Sequence, residues 1–206
     1  MRRQAIPLVL ALLCTGCARR VIGARTMPAP RPAPAGAVRN APTGIGALSS
    51  SETVNYILSR GLVVPVAGVA VAQLQDTFDE GRDDGRVHRA LDILAPRGTA
   101  VLAADDGRIV RMRPNALGGN AIYATDPQGR VVYYYAHLDA YQPRLLEGAT
   151  IARGDTLGIV GTTGNAPKDT PHLHFQVMRM PPDGRYWDGE PINPYPLFLL
   201  MHAARP

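Results

Sequence analysis

Short apolar segments, each closed by residues typical of turns, recur from residue 62 onward and constrain the fold more than any other feature of the sequence. They cover residues 91–94, 100–104, 109–112, 120–125, 131–137, 156–160 and 172–178. Asp126-Pro127-Gln128-Gly129, between two of them, has the composition of a hairpin turn. Apolar runs of this length between turn residues are typical of β-strands, and no amphipathic helix of useful length separates them. We therefore expect one mainly β domain over residues 62–206, built as a single antiparallel sheet or a sandwich-like pair of layers.

The residues before this domain predict a tether and a short helix. Residues 18–48 are rich in Pro and Ala, a composition that behaves as a spacer with little to bury. Ser49 and Glu52, followed by the apolar Val54 and Ile57, form the pattern of a capped helix that Gly61 would end. We therefore expect a flexible linker over 18–48 and a short helix over 49–61.

Residues 1–17 have the pattern of a targeting segment. Arg2-Arg3 precedes an apolar run over residues 5–13, which is too short to span a bilayer. Thr15-Gly16-Cys17 resembles a bacterial lipobox, although Cys14 stands where Leu is preferred. The alternative is an ordinary cleaved signal with a chance Cys17. The sequence thus predicts a lipoprotein signal segment over 1–17 and a lipid anchor on Cys17 that holds the protein in a membrane of the cell envelope.

Charge and cysteine content narrow the chemistry of the exported domain. The formal net charge is +5, but no run of Lys and Arg is interleaved with aromatic residues, so no nucleic-acid partner is expected. Cys14 and Cys17 are the two cysteines of the chain, and both lie in the targeting segment. A metal site in the domain must therefore use His and carboxylate ligands.

Two pairs of metal-ligating residue types stand at regular spacings. His88 and Asp92 are four residues apart, and His172 and His174 are two apart. Even spacings place side chains on one face of a strand, so each pair can point into a common site. A helix would also place His88 and Asp92 on one face, but the turn-rich surroundings favour a strand. Three such ligands with a fourth position open are the arrangement of a catalytic zinc.

Three separated motifs carry a family resemblance. The first is RVHRALDI at 86–93 with APRGTAV at 95–101, the second is YAHL at 135–138, and the third comprises residues 148–158, GTTGN at 161–165 and PHLHF at 171–175. In this order they resemble the lysostaphin/LytM-type family of peptidoglycan metallo-endopeptidases. The resemblance covers roughly residues 62–200 and implies a LytM-type fold with one zinc ion per domain. It also implies that His88, Asp92 and His174 bind the zinc, and that His137 and His172 are catalytic without binding it.

The implied residues have coherent chemical roles. Zinc lowers the pKa of a bound water toward neutrality and so makes a hydroxide nucleophile. A neutral histidine beside it can accept a proton as general base, and another can donate a hydrogen bond to the oxyanion that forms. We assign the first role to His172 and the second to His137, although the sequence does not separate them. Ala90 and Gln176 replace residues frequent in the family, and the loop over 166–170 also differs, which leaves the substrate preference open.

The resemblance implies a zinc-dependent endopeptidase that hydrolyses peptidoglycan cross-link peptides during cell-wall remodelling. The alternative is a non-enzymatic LytM-like scaffold that activates another cell-wall hydrolase, but such members typically lose zinc-site residues that this chain keeps. A lipoyl-type carrier, which residues 148–155 resemble, would need a lysine at a hairpin tip, and Lys168 lies in a loop instead. If the host has two membranes, Ala18 after Cys17 favours anchoring in the outer membrane, facing the periplasm.

Overall fold

A computed structural model describes residues 49–82 and 85–204 of the chain, and their dominant feature is one antiparallel sheet. Its nine strands are β1 (Leu91–Leu94), β2 (Ala100–Leu102), β3 (Gly107–Asn115), β4 (Gly119–Thr125), β5 (Val131–Tyr141), β6 (Thr150–Ile151), β7 (Thr156–Val160), β8 (His172–Arg179) and β9 (Glu190–Ile192). The main path runs β1-β8-β5-β4-β3-β6, while β7 pairs with β2 and β5, and β9 pairs with β8. The mainly β, antiparallel fold expected from the sequence is confirmed. The expected targeting segment and linker lie outside the described residues.

Two α-helices flank the sheet in the described part of the chain, which also contains short 3₁₀ helices at Val71–Gln73 and Tyr186–Asp188. Helix α1 (Ser50–Arg60) begins at Ser49, whose side chain accepts a hydrogen bond from the backbone N–H of Glu52 in a capping box, and ends at Gly61 with φ 70°. Helix α2 (Pro194–Ala203) was not expected, because residues 62–206 were interpreted as β-rich throughout. No described helix has the length and apolar character that crossing a membrane requires.

Buried carboxylates fasten α1 to the sheet. The carboxylate of Asp105 accepts hydrogen bonds from Arg60 Nε and Nη2, both at 2.9 Å, and from the Tyr133 hydroxyl at 3.0 Å. Asp126, at the β4–β5 turn, accepts a hydrogen bond from the Tyr56 hydroxyl at 2.6 Å and others from backbone N–H groups of its own turn. Since a buried carboxylate is stable only when it is paired and hydrogen-bonded, these contacts fix the position of α1 on the sheet.

Side-chain alternation gives the sheet two different faces. Tyr133 and Tyr135 of β5 and Phe175 of β8 point to the main hydrophobic core, which also contains residues of α1 and α2. Tyr134 and Ala136 of β5 belong to a smaller apolar cluster on the opposite face. One face of the sheet is therefore packed against the main core, and the opposite face can present polar side chains.

Candidate metal centre and active site

The pairing of the first and eighth strands brings two predicted ligands together. Asp92 of β1 lies directly opposite His174 of β8, and both side chains are on the face that turns away from the main core. His172 is two residues before His174 on the same strand and shares this face, as its spacing predicted. His88 precedes β1 rather than lying on it, so the strand interpretation of the His88–Asp92 pair was wrong for His88. Arg89 has φ 56°, so the chain turns just before β1 and His88 lies beside Asp92, whereas a straight strand would separate the two residues by about 13 Å.

Three ligand atoms converge at this point of the sheet. His88 Nε2 lies 2.9 Å from Asp92 Oδ1 and 2.9 Å from His174 Nδ1, and His174 Nδ1 lies 3.1 Å from Asp92 Oδ1. His172 Nε2 is farther away, 3.8 Å from the same carboxylate oxygen. The structure therefore groups His88, Asp92 and His174 tightly, with His172 beside them.

Contacts behind His88 and Asp92 orient the ligand atoms of these two residues. His88 Nδ1 donates to the carbonyl oxygen of Thr77 at 2.8 Å; because a carbonyl only accepts, Nδ1 carries the proton and Nε2 keeps its lone pair. The Thr77 hydroxyl accepts from the backbone N–H of Asp92 at 2.9 Å. Arg82 Nη2 donates to Asp92 Oδ2 at 2.7 Å, which leaves Oδ1 directed at the histidines. Such outer contacts fix the orientation of metal ligands in proteins.

The donor set fits a tetrahedral transition-metal ion. Ligand atoms on an ion with bonds of about 2.0–2.1 Å lie about 3.3 Å apart, so the observed separations need only a small outward movement. Two imidazole nitrogens and one carboxylate oxygen are ligands typical of zinc, and they leave a fourth position open. His88, Asp92 and His174 can therefore hold a metal ion with one site free for a small molecule.

The ionisation states of these residues suit a metal. Burial would raise the pKa of Asp92, but the adjacent His174 and His88 outweigh it and hold that pKa below its ordinary value. Burial lowers the pKa of His174, and this outweighs the opposing effect of Asp92. At neutral pH the carboxylate is thus ionised and His174 is neutral, which are the forms that bind metals.

A β-bulge turns His137 toward the same place. Along β5, Tyr133 and Tyr135 face the main core, so strict alternation would send residue 137 there as well. Instead, β5 passes from pairing with β8 at Ala136 to pairing with β7 at Leu138, and the β4–β5 register shifts at this point. His137 is the extra residue, with φ 63°, and Leu138 returns to the core. The bulge therefore places a polar side chain on the site face without disturbing the core.

His137 and His172 have the same hydrogen-bonding arrangement. His137 Nδ1 donates to the Thr163 carbonyl at 2.9 Å, and His172 Nδ1 donates to the Thr170 carbonyl at 2.8 Å. In the neutral ring of each, Nε2 therefore has a free lone pair. The two rings lie 5.0 Å apart between centroids. Burial first, and then His174 and His172, lower the pKa of His137 to about 4, so His137 is neutral at pH 7.

These five residues lie in a groove of about 740 Å³. The face of the sheet forms its floor, and the loops around Leu117 and Asn165 form part of its wall. Trp187, 59% exposed, stands at its rim beside Tyr186. The groove is open to solvent and crosses five adjacent strands, β1, β8, β5, β4 and β3, so an extended peptide can lie along it.

Three supporting residues were missed by the sequence interpretation. Thr77 and Arg82 lie 15 and 10 residues before Asp92, outside every motif, and nothing in their spacing indicates a role. Thr163 lies in the third motif, but its contribution is a backbone carbonyl, which any residue type supplies. Backbone contacts of this kind are visible only once the fold is known.

Comparison with known proteins identifies the family of this arrangement. The sequence model of peptidase family M23 matches residues 86–194, more than half of the chain and all three motifs. Over 94 residues the chain is 34% identical to peptidoglycan DD-endopeptidase ShyC of Vibrio cholerae, and over 130 residues it is 29% identical to the L-Ala–D-Glu endopeptidase of Bacillus subtilis. These matches cover 45% and 59% of this chain, but only 20% and 38% of the two relatives.

A solved structure also indicates this family and its fold. The catalytic domain of lysostaphin from Staphylococcus simulans superposes with a TM-score of 0.51 at 26% identity, over 63% of this chain and 95% of that domain. The resemblance stated from the three motifs and the LytM-type fold class are thus confirmed.

The site predicts which substitutions abolish metal binding. Ala in place of His88, Asp92 or His174 leaves two ligands without a defined geometry, so each variant of the full chain should lose tight binding of a divalent transition metal. His137→Ala should keep the metal, because its Nε2 is not one of the converging atoms. His202→Ala is a matched control, since it removes an exposed histidine of α2. Elemental analysis after dialysis is the measurement, and full retention of metal by His88→Ala would show the ligand set to be wrong.

Proposed function

Because the chain belongs to peptidase family M23, we propose that it is a zinc-dependent endopeptidase that hydrolyses peptide cross-links of peptidoglycan. The observation that carries the proposal is the convergence of His88, Asp92 and His174 on an open groove, next to two further histidines with free Nε2 lone pairs. A scaffold needs none of these five side chains, whereas a hydrolase needs a ligand set with an open position and a proton acceptor beside it.

The proposed chemistry divides between the metal and the protein. When bound, zinc would supply an acidified water and polarisation of the scissile carbonyl. His172 is held by the Thr170 carbonyl so that Nε2 faces the ligand cluster, where it can accept a proton. The same nitrogen can then return the proton to the departing amine, as a general base that becomes a general acid.

His137 has the complementary role in this proposal. In its neutral form Nε2 is an acceptor, so it donates a hydrogen bond to an oxyanion only after its ring has taken a proton from the solvent of the open groove. A negative charge developing beside the ring favours that protonated form, against the burial that lowers the pKa of His137. The carbonyl of Thr163 holds the ring in place in both states.

The relatives support the substrate class. The two curated relatives are named as endopeptidases, one of them of peptidoglycan, and the family model matches residues 86–194, which contain the five proposed site residues. Since those alignments cover under two fifths of each relative, the substrate and the bond cleaved are proposals for this chain.

Removal of His172 tests the enzymatic proposal against the scaffold alternative. We expect the zinc-loaded full chain to cleave dimeric muropeptides, and His172→Ala to bind zinc normally yet cleave about 100-fold more slowly or worse, the scale of losing a general base. His202→Ala should match the wild type. Mass spectrometry of the products is the readout. A scaffold would give no products with the zinc-loaded wild type, and its stimulation of a separate hydrolase would be unaffected by His172→Ala.

We also propose that Cys17 carries the lipid that anchors the protein in the envelope. The support is the basic and apolar leader before Thr15-Gly16-Cys17, and the Pro/Ala-rich residues 18–48 would serve as the spacer that lets the domain reach the wall. Labelled palmitate should enter the wild type and be absent from Cys17→Ser. Equal labelling of the two proteins, or none in either, would contradict the anchor.

A further inference from the structure

The third strand extends the site face of the sheet away from the metal centre. Arg111 of β3 lies directly opposite Tyr123 of β4, which lies opposite Tyr134 of β5, which lies opposite Gln176 of β8. Residues paired in this way share one face, so Arg111 lies on the same face as His174. Arg113 is two residues further along β3 and lines the groove as well. The floor of the groove thus runs from the ligand cluster to a pair of arginines.

The groove has a strong excess of positive charge. Arg82, Arg86, Arg111 and Arg113 line it, and Asp92 is the acidic residue among the described residues that line it. The charge of Asp92 is offset by Arg82 at 2.7 Å before any metal is considered. A groove with this lining attracts anions and disfavours cationic or neutral peptides of equal shape.

Arg113 differs from Arg111 in that its charge is not paired with an acidic side chain among the described residues. Arg111 forms an ion pair with Glu147 at 3.3 Å. Arg113 is exposed and has no ion-pair or hydrogen-bond partner for its guanidinium among the residues that the structure describes. The rings of Tyr123 and Tyr186, 5.0 Å apart between centroids, also line this end of the groove. When a bound peptide covers this end of the groove, the two rings help to shield a contact between Arg113 and an anion from water, which strengthens it.

We infer that Arg113, supported by Arg111, binds a free carboxylate of the substrate peptide and so selects anionic stem peptides over amidated or neutral ones. This inference rests on the proposed function and names the substrate class for the same groove. A guanidinium matches the two oxygens of a carboxylate in a bidentate contact, which makes arginine the residue suited to this recognition.

The position of Arg113 indicates which part of the substrate it meets. Strand β3 is three strand spacings from β8, which is about 14 Å at about 4.8 Å per strand. An extended peptide covers this distance in on the order of four residues. The carboxylate bound by Arg113 therefore belongs to a residue a few positions from the scissile bond, and not to the bond itself. Its contribution is to binding, so its loss should raise KM and leave kcat largely unchanged.

Two matched substrates test the inference. One is a cross-linked stem-peptide dimer of the diaminopimelate type with its carboxylates free, and the other is the same dimer with those carboxylates amidated. We expect the zinc-loaded full chain to cleave the free form with a kcat/KM at least about 10-fold higher, the scale of a charge-assisted hydrogen bond. Arg113→Gln should remove most of this preference through KM, and Arg113→Lys should keep part of it.

A control on the same strand separates local contact from net charge. Arg108 of β3 does not line the groove, and its Nε donates to the Gly148 carbonyl, so Arg108→Gln removes the same charge from the protein and should keep the full preference. Equal KM values of the wild type for the two dimers would overturn the inference. An equal loss by Arg113→Gln on both dimers would also overturn it.

A binding measurement distinguishes failure of this inference from failure of the proposed function. Fluorescence anisotropy with labelled, uncrosslinked stem peptides, free and amidated, does not require cleavage. If neither dimer is cleaved but the free peptide binds more tightly through Arg113, the proposed function fails and the inference stands. If both dimers are cleaved and Arg113→Gln changes neither the preference nor the binding, the function stands and the inference is wrong.

Discussion

The antiparallel pairing of β1 with β8 is the interaction on which the site depends. It sets Asp92 directly opposite His174, so that two ligand atoms from residues 82 positions apart in sequence lie 3.1 Å from each other. A shift of this register by one residue would move Asp92 to the face of the main core, because side chains alternate with a period of two. The packing of Leu91, Ile93 and Phe175 in that core therefore also fixes the geometry of the polar face.

Strand pairing alone would not place His88 and His137 at the ligand cluster. Departures from regular strand geometry do so. Arg89 and His137 have φ of 56° and 63°, a conformation that costs non-glycine residues on the order of 1–3 kcal/mol. At each position the neighbouring residue is anchored in the interior: Ala90 and Leu138 are both 0% exposed. Burial of Ala90 and Leu138 offsets this local strain. The conformation of Arg89 places His88, and that of His137 places its own side chain, beside the ligand cluster.

The sequence predicted the fold better than the supporting contacts of the site. The strands follow from short apolar runs, and the His172–His174 spacing correctly predicted a shared face, because both are local patterns. Helix α2 was missed although Asn193-Pro194 is a typical helix start, with the Asn193 side chain accepting from the Tyr195 N–H. The bulge at His137 could not be predicted, since it arises where β5 exchanges one partner strand for another. Thr77 and Arg82 act through long-range contacts that no local pattern encodes.

We propose that this sheet builds a zinc centre from two imidazoles and one carboxylate, open toward a groove that receives a peptide. X-ray absorption at the zinc edge of the zinc-loaded full chain measures that centre directly. We expect four light ligands at about 2.0–2.1 Å, with scattering from two imidazole rings. His174→Ala should reduce the imidazole signal to at most that of a single ring. A centre with oxygen ligands alone, or one whose spectrum is unchanged in His174→Ala, would show that His88, Asp92 and His174 do not form the zinc site.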